Sequence, residues 1–257
     1  MGITGAAGLL AAWEAGLAVA PAGRAALLHR TARPDADAAV LPVLPVGERE
    51  ADLFALRRAL FGDRMQVRLE CAACGSEMEF DLDAGDFARS LGGSGSADRP
   101  VDPSTDRSVD PSLIRVREDG WDVEFRLPGP ADLTAAARAA DPRAALLERC
   151  VVRALHDGAA VPARSLPASV QRRIAEAAEA ADPGADVTLN VNCPECDAAT
   201  RAELDIASYL WTELDAWARD LLLDVHLLAT SYGWSEPEIL ALSPLRRRYY
   251  LELCVDV

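Results

Sequence analysis

Lysine is missing from this sequence: all 26 basic residues among its 257 are arginine. That absence excludes every mechanism that needs a lysine amine, including Schiff-base catalysis, the P-loop and the kinase fold. Positive charge is also in the minority, with 41 acidic residues giving a net charge of −15. A chain this acidic is repelled by phosphate backbones and anionic lipid unless it carries a local basic patch. No segment is apolar for the roughly 18 residues a membrane span requires. The first twenty residues are apolar, but they lack a basic start and Glu14 interrupts them, so they read as neither signal peptide nor span. No G-x-S-x-G, H-E-x-x-H, P-loop or Rossmann fingerprint occurs. The expectation is a cytoplasmic bacterial protein that is not an enzyme and binds neither nucleic acid nor membrane.

Half the residues are hydrophobic, enough to bury a substantial core. Six are cysteines, and four of these form two C-x-x-C pairs: Cys71 with Cys74, and Cys193 with Cys196. Period-2 alternation flanks both pairs. Val67 and Leu69 lead into the first and Met78, Phe80 and Leu82 lead out; Val187, Leu189 and Val191 precede the second, and Ala202 and Leu204 follow. Each reads as a β-hairpin tipped by a metal-binding knuckle.

The rest is mostly helical in pattern. Leu9, Leu10, Trp13 and Leu17 share one face; Pro21 and Gly23 break the pattern, and a short helix covers Arg24 to Arg30. Another helix runs from about Glu48 to Leu60, ended by Gly62. Residues 92–112 are rich in Gly, Ser, Asp and Pro, with Val101-Asp-Pro-Ser104 recurring as Val109-Asp-Pro-Ser112, and read as a flexible linker. Trp121 to Leu127 is a strand. Helices follow at Ala131–Ala140, after Asp141 as N-cap with Pro142 at N1 through Val151, and at Pro167–Ala180. Ile206, Leu210, Leu214, Trp217, Leu221, Val225 and Leu228 define one face of a long helix that Gly233 stops. A capping box at Ser235–Glu238 and a final helix from Pro244 to about Cys254 complete the chain.

The expected fold class is therefore α+β, mainly helical, with the two knuckles forming a split, zinc-ribbon-like site of four cysteines. Its segments are a helical start (1–64), a first hairpin (65–91), the linker (92–112), a strand-plus-helix insertion (113–183), a second hairpin (184–205) and a helical end (206–257). A closed tetrahedral zinc site needs four ligands, which Cys71, Cys74, Cys193 and Cys196 supply. Such a site leaves no position for a substrate water, so the zinc is structural. The 118 residues between Cys74 and Cys193 far exceed ordinary zinc-ribbon spacing, so the metal clamps remote parts of the chain. Two other readings stay open. A dithiol oxidoreductase is disfavoured because its C-x-x-C starts a helix, whereas strands flank both pairs here; the pairs could also be metal-free.

Zinc ribbons often bind nucleic acid, so an adaptor for nucleic acid or transcription machinery is the alternative function. Glu70, Glu77, Glu79, Asp81, Asp83 and Asp86 around the first knuckle argue against it, as do Glu195, Asp197, Glu203 and Asp205 around the second. Cys150 and Cys254 read as buried small hydrophobes. His29, His156 and His226 are scattered, with His226 read as a packed or capping residue. Arg246-Arg-Arg248 beside Tyr249-Tyr250 is the one basic, aromatic cluster; it suits either an acidic partner or the dipole at a helix C-terminal half. Aromatics concentrate in the last fifty residues, as a compact helical core or an interface would have them.

Several segments resemble one known family. They are Tyr209-Leu-Trp211-Thr-Glu213 through Leu221, His226 through Tyr-Gly-Trp-Ser-Glu236, and Glu238 through Leu-Ser-Pro to Leu251. Phe125-Arg-Leu-Pro-Gly-Pro-Ala-Asp-Leu133, Leu10-Ala-Ala-Trp-Glu14 and Arg24-Ala-Ala-Leu-Leu28 join them. Together they resemble the baseplate hub assembly chaperones of contractile-tailed, T-even-type phages and of bacterial contractile injection systems, whose bacterial branch often carries two C-x-x-C knuckles. The resemblance covers most of the chain except the 92–112 linker, which departs from the family. It implies a non-enzymatic assembly factor or minor component whose partners are baseplate hub or spike proteins of the same gene cluster. It offers no catalytic residues to carry over.

Overall fold

A computed structural model describes residues 5–87 and 113–255; the 92–112 linker and its repeated Val-Asp-Pro-Ser lie outside them. In chain order the elements are α1 (Ala6–Leu17), α2 (Pro21–Ala32), α3 (Val46–Phe61), β1 (Arg64–Glu70), β2 (Glu77–Asp83), β3 (Leu113–Glu118), β4 (Trp121–Arg126) and α4 (Pro130–Ala136). There follow α5 (Pro142–Cys150), β5 (Val151–His156), β6 (Ala159–Ala160), α6 (Ala168–Ala181), β7 (Thr188–Asn192), β8 (Ala199–Glu203), α7 (Ile206–Tyr232), α8 (Glu236–Leu240) and α9 (Pro244–Val255). Helices and small antiparallel sheets together make an α+β fold. No helix among the described residues is long and apolar enough to cross a membrane. Two units divide the chain: residues 1–31 with 206–257, and residues 32–205.

In the first unit, the stripe on α7 is buried as its spacing requires, with Trp217 half-buried. Gly16 lets α1 approach this helix closely, since a Cβ there would stand 2.3 Å from the Trp211 ring. Arg24 closes the contact: its guanidinium lies 4.6 Å over the Trp211 ring and its Nε donates to the Gly16 carbonyl at 3.0 Å. The Trp13 indole N–H donates to Asp215 at 2.8 Å. Gly233 takes φ +70 and ends α7, and the Ser235 N–H donates to Glu238 at 2.8 Å as a capping box. Tyr232, Trp234 and Tyr250 cluster beyond it; Trp234 and Tyr250 pack against the core of Val225, Leu228 and Ile239, while Tyr232 is exposed.

Three expectations change in this unit. The break between the first two helices falls before Pro21, but α2 starts at Pro21 and not at Arg24, with Gly23 inside it, because a missing N–H costs nothing at a helix start. His226 is exposed instead of packed. Arg246, Arg247 and Arg248 lie in the first turns of α9, where the helix dipole disfavours cations. Buried Arg247 instead pairs with Asp224 at 3.1 Å, and Arg248 pairs with Glu252 at 3.0 Å. Cys254 is half-buried and donates to the Tyr250 carbonyl at 3.1 Å.

The second unit is built on the antiparallel sheet β3-β4-β5-β6. Val116, Val123, Phe125 and Ala154 point to one face and meet Val170 and Ile174 of α6. On the other face Arg115, Arg117 and Arg153 pair with Asp122 and Glu124. Strands β3, β5 and β6 go beyond the sequence expectation, which gives Val151 to a helix. The sheet turns at Asp119-Gly120 and Asp157-Gly158, all four residues at positive φ, the hairpin pattern that Asp-Gly favours. Helix α4 stops at Ala136, short of Ala140. Asp141 must be extended to precede Pro142, and in that conformation its carboxylate caps α5 through the Ala144 N–H at 3.0 Å.

One buried carboxylate ties the second unit together. Asp132 accepts both arms of Arg126 at 2.6 and 2.9 Å, Arg149 Nε at 2.8 Å and the Gly129 N–H at 3.0 Å. Burial pushes its carboxyl up, but Arg126, the Gly129 N–H and Arg149 outweigh that and hold it down at about 2. Gly129 itself is wedged against the 42–44 backbone, where a Cβ would lie 2.8 Å from the Leu44 and Pro42 carbonyl oxygens.

Asp132→Ala should lower stability by about 2–4 kcal/mol in urea unfolding, because Arg126 and Arg149 lose a shared anion but are part-exposed and rehydrate. The unfolded-chain pKa is about 3.9, above the folded value, so this contribution is complete above about pH 5 and is lost as pH falls toward 2. Equal acid sensitivity of wild type and variant between those limits would contradict the assignment. In the first unit Gly16→Ala forces α1 and Trp211 apart; a loss of about 1–3 kcal/mol is expected, and an unchanged denaturation midpoint would show that the contact yields freely.

Candidate metal centre

Each C-x-x-C sits at the tip of a two-stranded hairpin. In the first, Leu69 faces Met78, Val67 faces Phe80 and Met65 faces Leu82 across β1 and β2. In the second, Leu189 faces Ala202 and Val191 faces Thr200 across β7 and β8. The two tips fold alike. The Cys71 N–H donates to the Ser76 carbonyl at 2.9 Å and Gly75 N–H to the Cys71 carbonyl at 2.8 Å. The same bonds join Cys193 to Ala198 at 3.0 Å and Asp197 to Cys193 at 2.8 Å. The residue after the second cysteine needs positive φ in both: Gly75 at +72 and Asp197 at +58. Glycine is free to adopt it, and aspartate is among the few other residues that visit it at moderate cost.

These turns bring all four sulfurs within 4.8 Å of one another. Two close separations run between the knuckles: Cys71 Sγ to Cys196 Sγ is 3.7 Å, and Cys74 Sγ to Cys193 Sγ is 3.7 Å. A disulfide would require about 2.05 Å, so these are four free thiols. A tetrahedral thiolate site with bonds of about 2.3 Å has edges of about 3.8 Å, so the spacing fits a shared metal ion. Cys71 and Cys193 are buried in one small cluster with Met78, and Leu69, Val191 and Ala198 pack around them; Cys74 and Cys196 face solvent.

The thiols differ in their ease of ionisation. The N–H groups of Cys74 and then Ala73 donate to the Cys71 sulfur and lower its pKa to about 6; the Thr200 hydroxyl is buried nearby without a hydrogen-bond partner. For Cys74 the Ser76 N–H favours the thiolate, but Cys196 and Cys71 prevail and push it up to about 12. The Cys196 thiol is also raised: the Ala198 N–H and Cys74 oppose this, while burial, Cys71 and Cys193 drive it. Cys71 therefore ionises more readily than Cys74 or Cys196. A divalent cation favours the thiolate form, and its binding releases protons.

The apolar floor is legible in the alternation, but the sequence expectation does not include Thr200. Met78 and Thr200 each lie four residues beyond the second cysteine of their pair, and that equivalence is the signal that finds it. Cys150 lies apart, buried at the end of α5, where burial pushes its thiol up.

One contact ties the start of α3 to the segment that precedes β7. The Gly47 N–H of α3 donates to Asp182 at 2.9 Å, and a Cβ on residue 47 would overlap that carboxylate at 1.8 Å. Asp182 leads toward β7, so the contact anchors the approach to the second hairpin, whereas β1 begins beyond the far end of α3. Over residues 26–211 the sequence matches the family described as T4 bacteriophage base plate protein. The chain belongs to that family. No curated protein and no solved structure shows a significant match. The matched span includes both knuckles, the sheet and Asp132.

If one ion is shared, damage to either knuckle must loosen both. Cys71→Ser should abolish hydrogen-exchange protection in residues 187–204 as well as in 64–83, and a strong chelator should do the same to the wild type. Loosening confined to the altered hairpin would mean that the knuckles do not share a metal.

Proposed function

We propose that this protein is a non-enzymatic assembly factor, a chaperone or minor component, for the baseplate hub and spike of a contractile phage-tail-like injection system. The base plate family match carries this reading. In it, Cys71, Cys74, Cys193 and Cys196 hold a structural zinc in a split ribbon, which the all-thiolate, closed donor set supports. The partners are hub or spike subunits met in the bacterial cytoplasm. Exposed apolar side chains on the C-terminal helices support a covering role: Leu223 and Leu227 on α7, and Leu245, Tyr249 and Leu253 at four-residue steps on α9. The acidic surface keeps such complexes soluble.

The adaptor alternative needs a basic face at the knuckles. Their exposed carboxylates include Glu70, Glu77, Glu195 and Asp197, which speaks against a phosphate partner.

Tagged protein purified from a strain carrying the contractile gene cluster should retain a hub or spike subunit and about one zinc per chain, and a deletion should yield particles defective in the hub. Recovery of no tail component, with normal particles from the deletion strain, would sink the assembly role. Salt-dependent binding to DNA or RNA would favour the adaptor.

A further inference from the structure

Helices α5 and α6 do not close completely over the sheet. Between them lies an apolar cavity of about 310 Å³ whose walls include Phe125, Leu146, Leu147 and Ile174. Three arginines also line it: Arg126, Arg143 and Arg172. Arg126 is committed to Asp132. Arg143 and Arg172 are exposed, and neither has a hydrogen-bond or ion-pair partner among the described residues. The contrast with the outer face of the same sheet is sharp, because Arg115, Arg117 and Arg153 there are all paired. Two unpaired cations beside an apolar floor are a local inversion of charge in a chain of net −15.

We propose that this groove is a docking site for an acidic amphipathic helix of a partner protein. Its volume is at the small end of the ligand-pocket range of about 300–1,000 Å³, so it suits the side chains of an anchor and not a large cofactor. An occupant must offer apolar groups to Leu146, Leu147 and Ile174 and carboxylates to Arg143 and Arg172. A helix with leucines three or four residues apart and glutamates beside them offers both from one face. Basic segments are repelled at the rim. The identity of the partner as a baseplate subunit rests on the assembly-factor reading; its chemistry does not.

The test uses the full-length protein and a fluorescein-labelled helical peptide carrying leucines at three- and four-residue spacing with flanking glutamates. Fluorescence anisotropy should show saturable binding that weakens with salt. The double variant Arg143→Glu, Arg172→Glu, with both changes on exposed side chains, should bind about tenfold or more weakly while keeping the wild-type unfolding midpoint. Several results would overturn the proposal. They are no binding, equal binding by a control peptide with lysines for the glutamates, or capture of decanoate but not the peptide. So would a wild-type dimer in sedimentation that the double variant dissolves, since the groove would then seat a second copy. If the double variant still retains as much hub or spike protein as the wild type, the groove assignment fails and the assembly role stands. If the wild type retains none, the assembly role fails and the peptide experiment still decides the groove.

Discussion

Neither knuckle hairpin can stand by itself. Each has two strands, and a lone two-stranded hairpin is at best marginally stable in water. The buried core they share consists of Cys71, Met78 and Cys193, so two of its three members are cysteines. Away from the tips, Met65 and Val67 of the first hairpin and Val187 and Leu189 at the second are buried, so apolar packing secures the bases and the sulfurs join the tips. Cys74 and Cys193 are 119 positions apart, so a tie here restricts a long loop. Loop-closure cost grows only with the logarithm of length, about 0.6 kcal/mol for each doubling, so the wide spacing is no obstacle.

The absence of lysine has a structural consequence beyond composition. Every lysine-or-arginine position carries a planar fork, and the fold uses it as one. Arg126 grips Asp132 with two nitrogens, Arg64 does the same to Asp81, and Arg57 reaches the Gly62 and Arg64 carbonyls at 2.6 and 2.7 Å where the chain turns from α3 into β1. Arg24 stacks on an indole. A lysine ammonium reproduces none of these geometries, so Arg-to-Lys changes at these sites are not conservative. Net acidity and local cationic order therefore coexist; what sets Arg143 and Arg172 apart from other unpaired surface arginines is that they border an apolar cavity.

Much of the fold is legible in periodicity. Alternation around each C-x-x-C locates both hairpins, the seven-residue stripe locates α7, and Asp141-Pro142 locates the start of α5. The sheet of the second unit is harder to read. Strand β5 follows α5 directly at Cys150-Val151, with no breaker between helix and strand, so Val151 resembles a continuation. The Asp119-Gly120 and Asp157-Gly158 turns are the available signals, and each lies between segments too short to show alternation clearly. Local patterns also fail where the deciding partner is remote in sequence. Nothing near Arg247 announces Asp224, and nothing near Gly16 announces Trp211.

The family match ends at residue 211, whereas the longest stretches of sequence resemblance, His226 through Leu251, lie beyond it. Residues 32–205, with the sheet, the knuckles and the groove, fall wholly inside the match. The exposed stripe of Leu245, Tyr249 and Leu253 falls outside. Membership of the base plate family therefore rests on the second unit, and a surface that serves a role common to the family belongs there. The groove meets that condition and has defined chemistry, an apolar floor beneath two unpaired guanidiniums. The stripe on α9 is apolar without a charge signature, so it specifies its partner less.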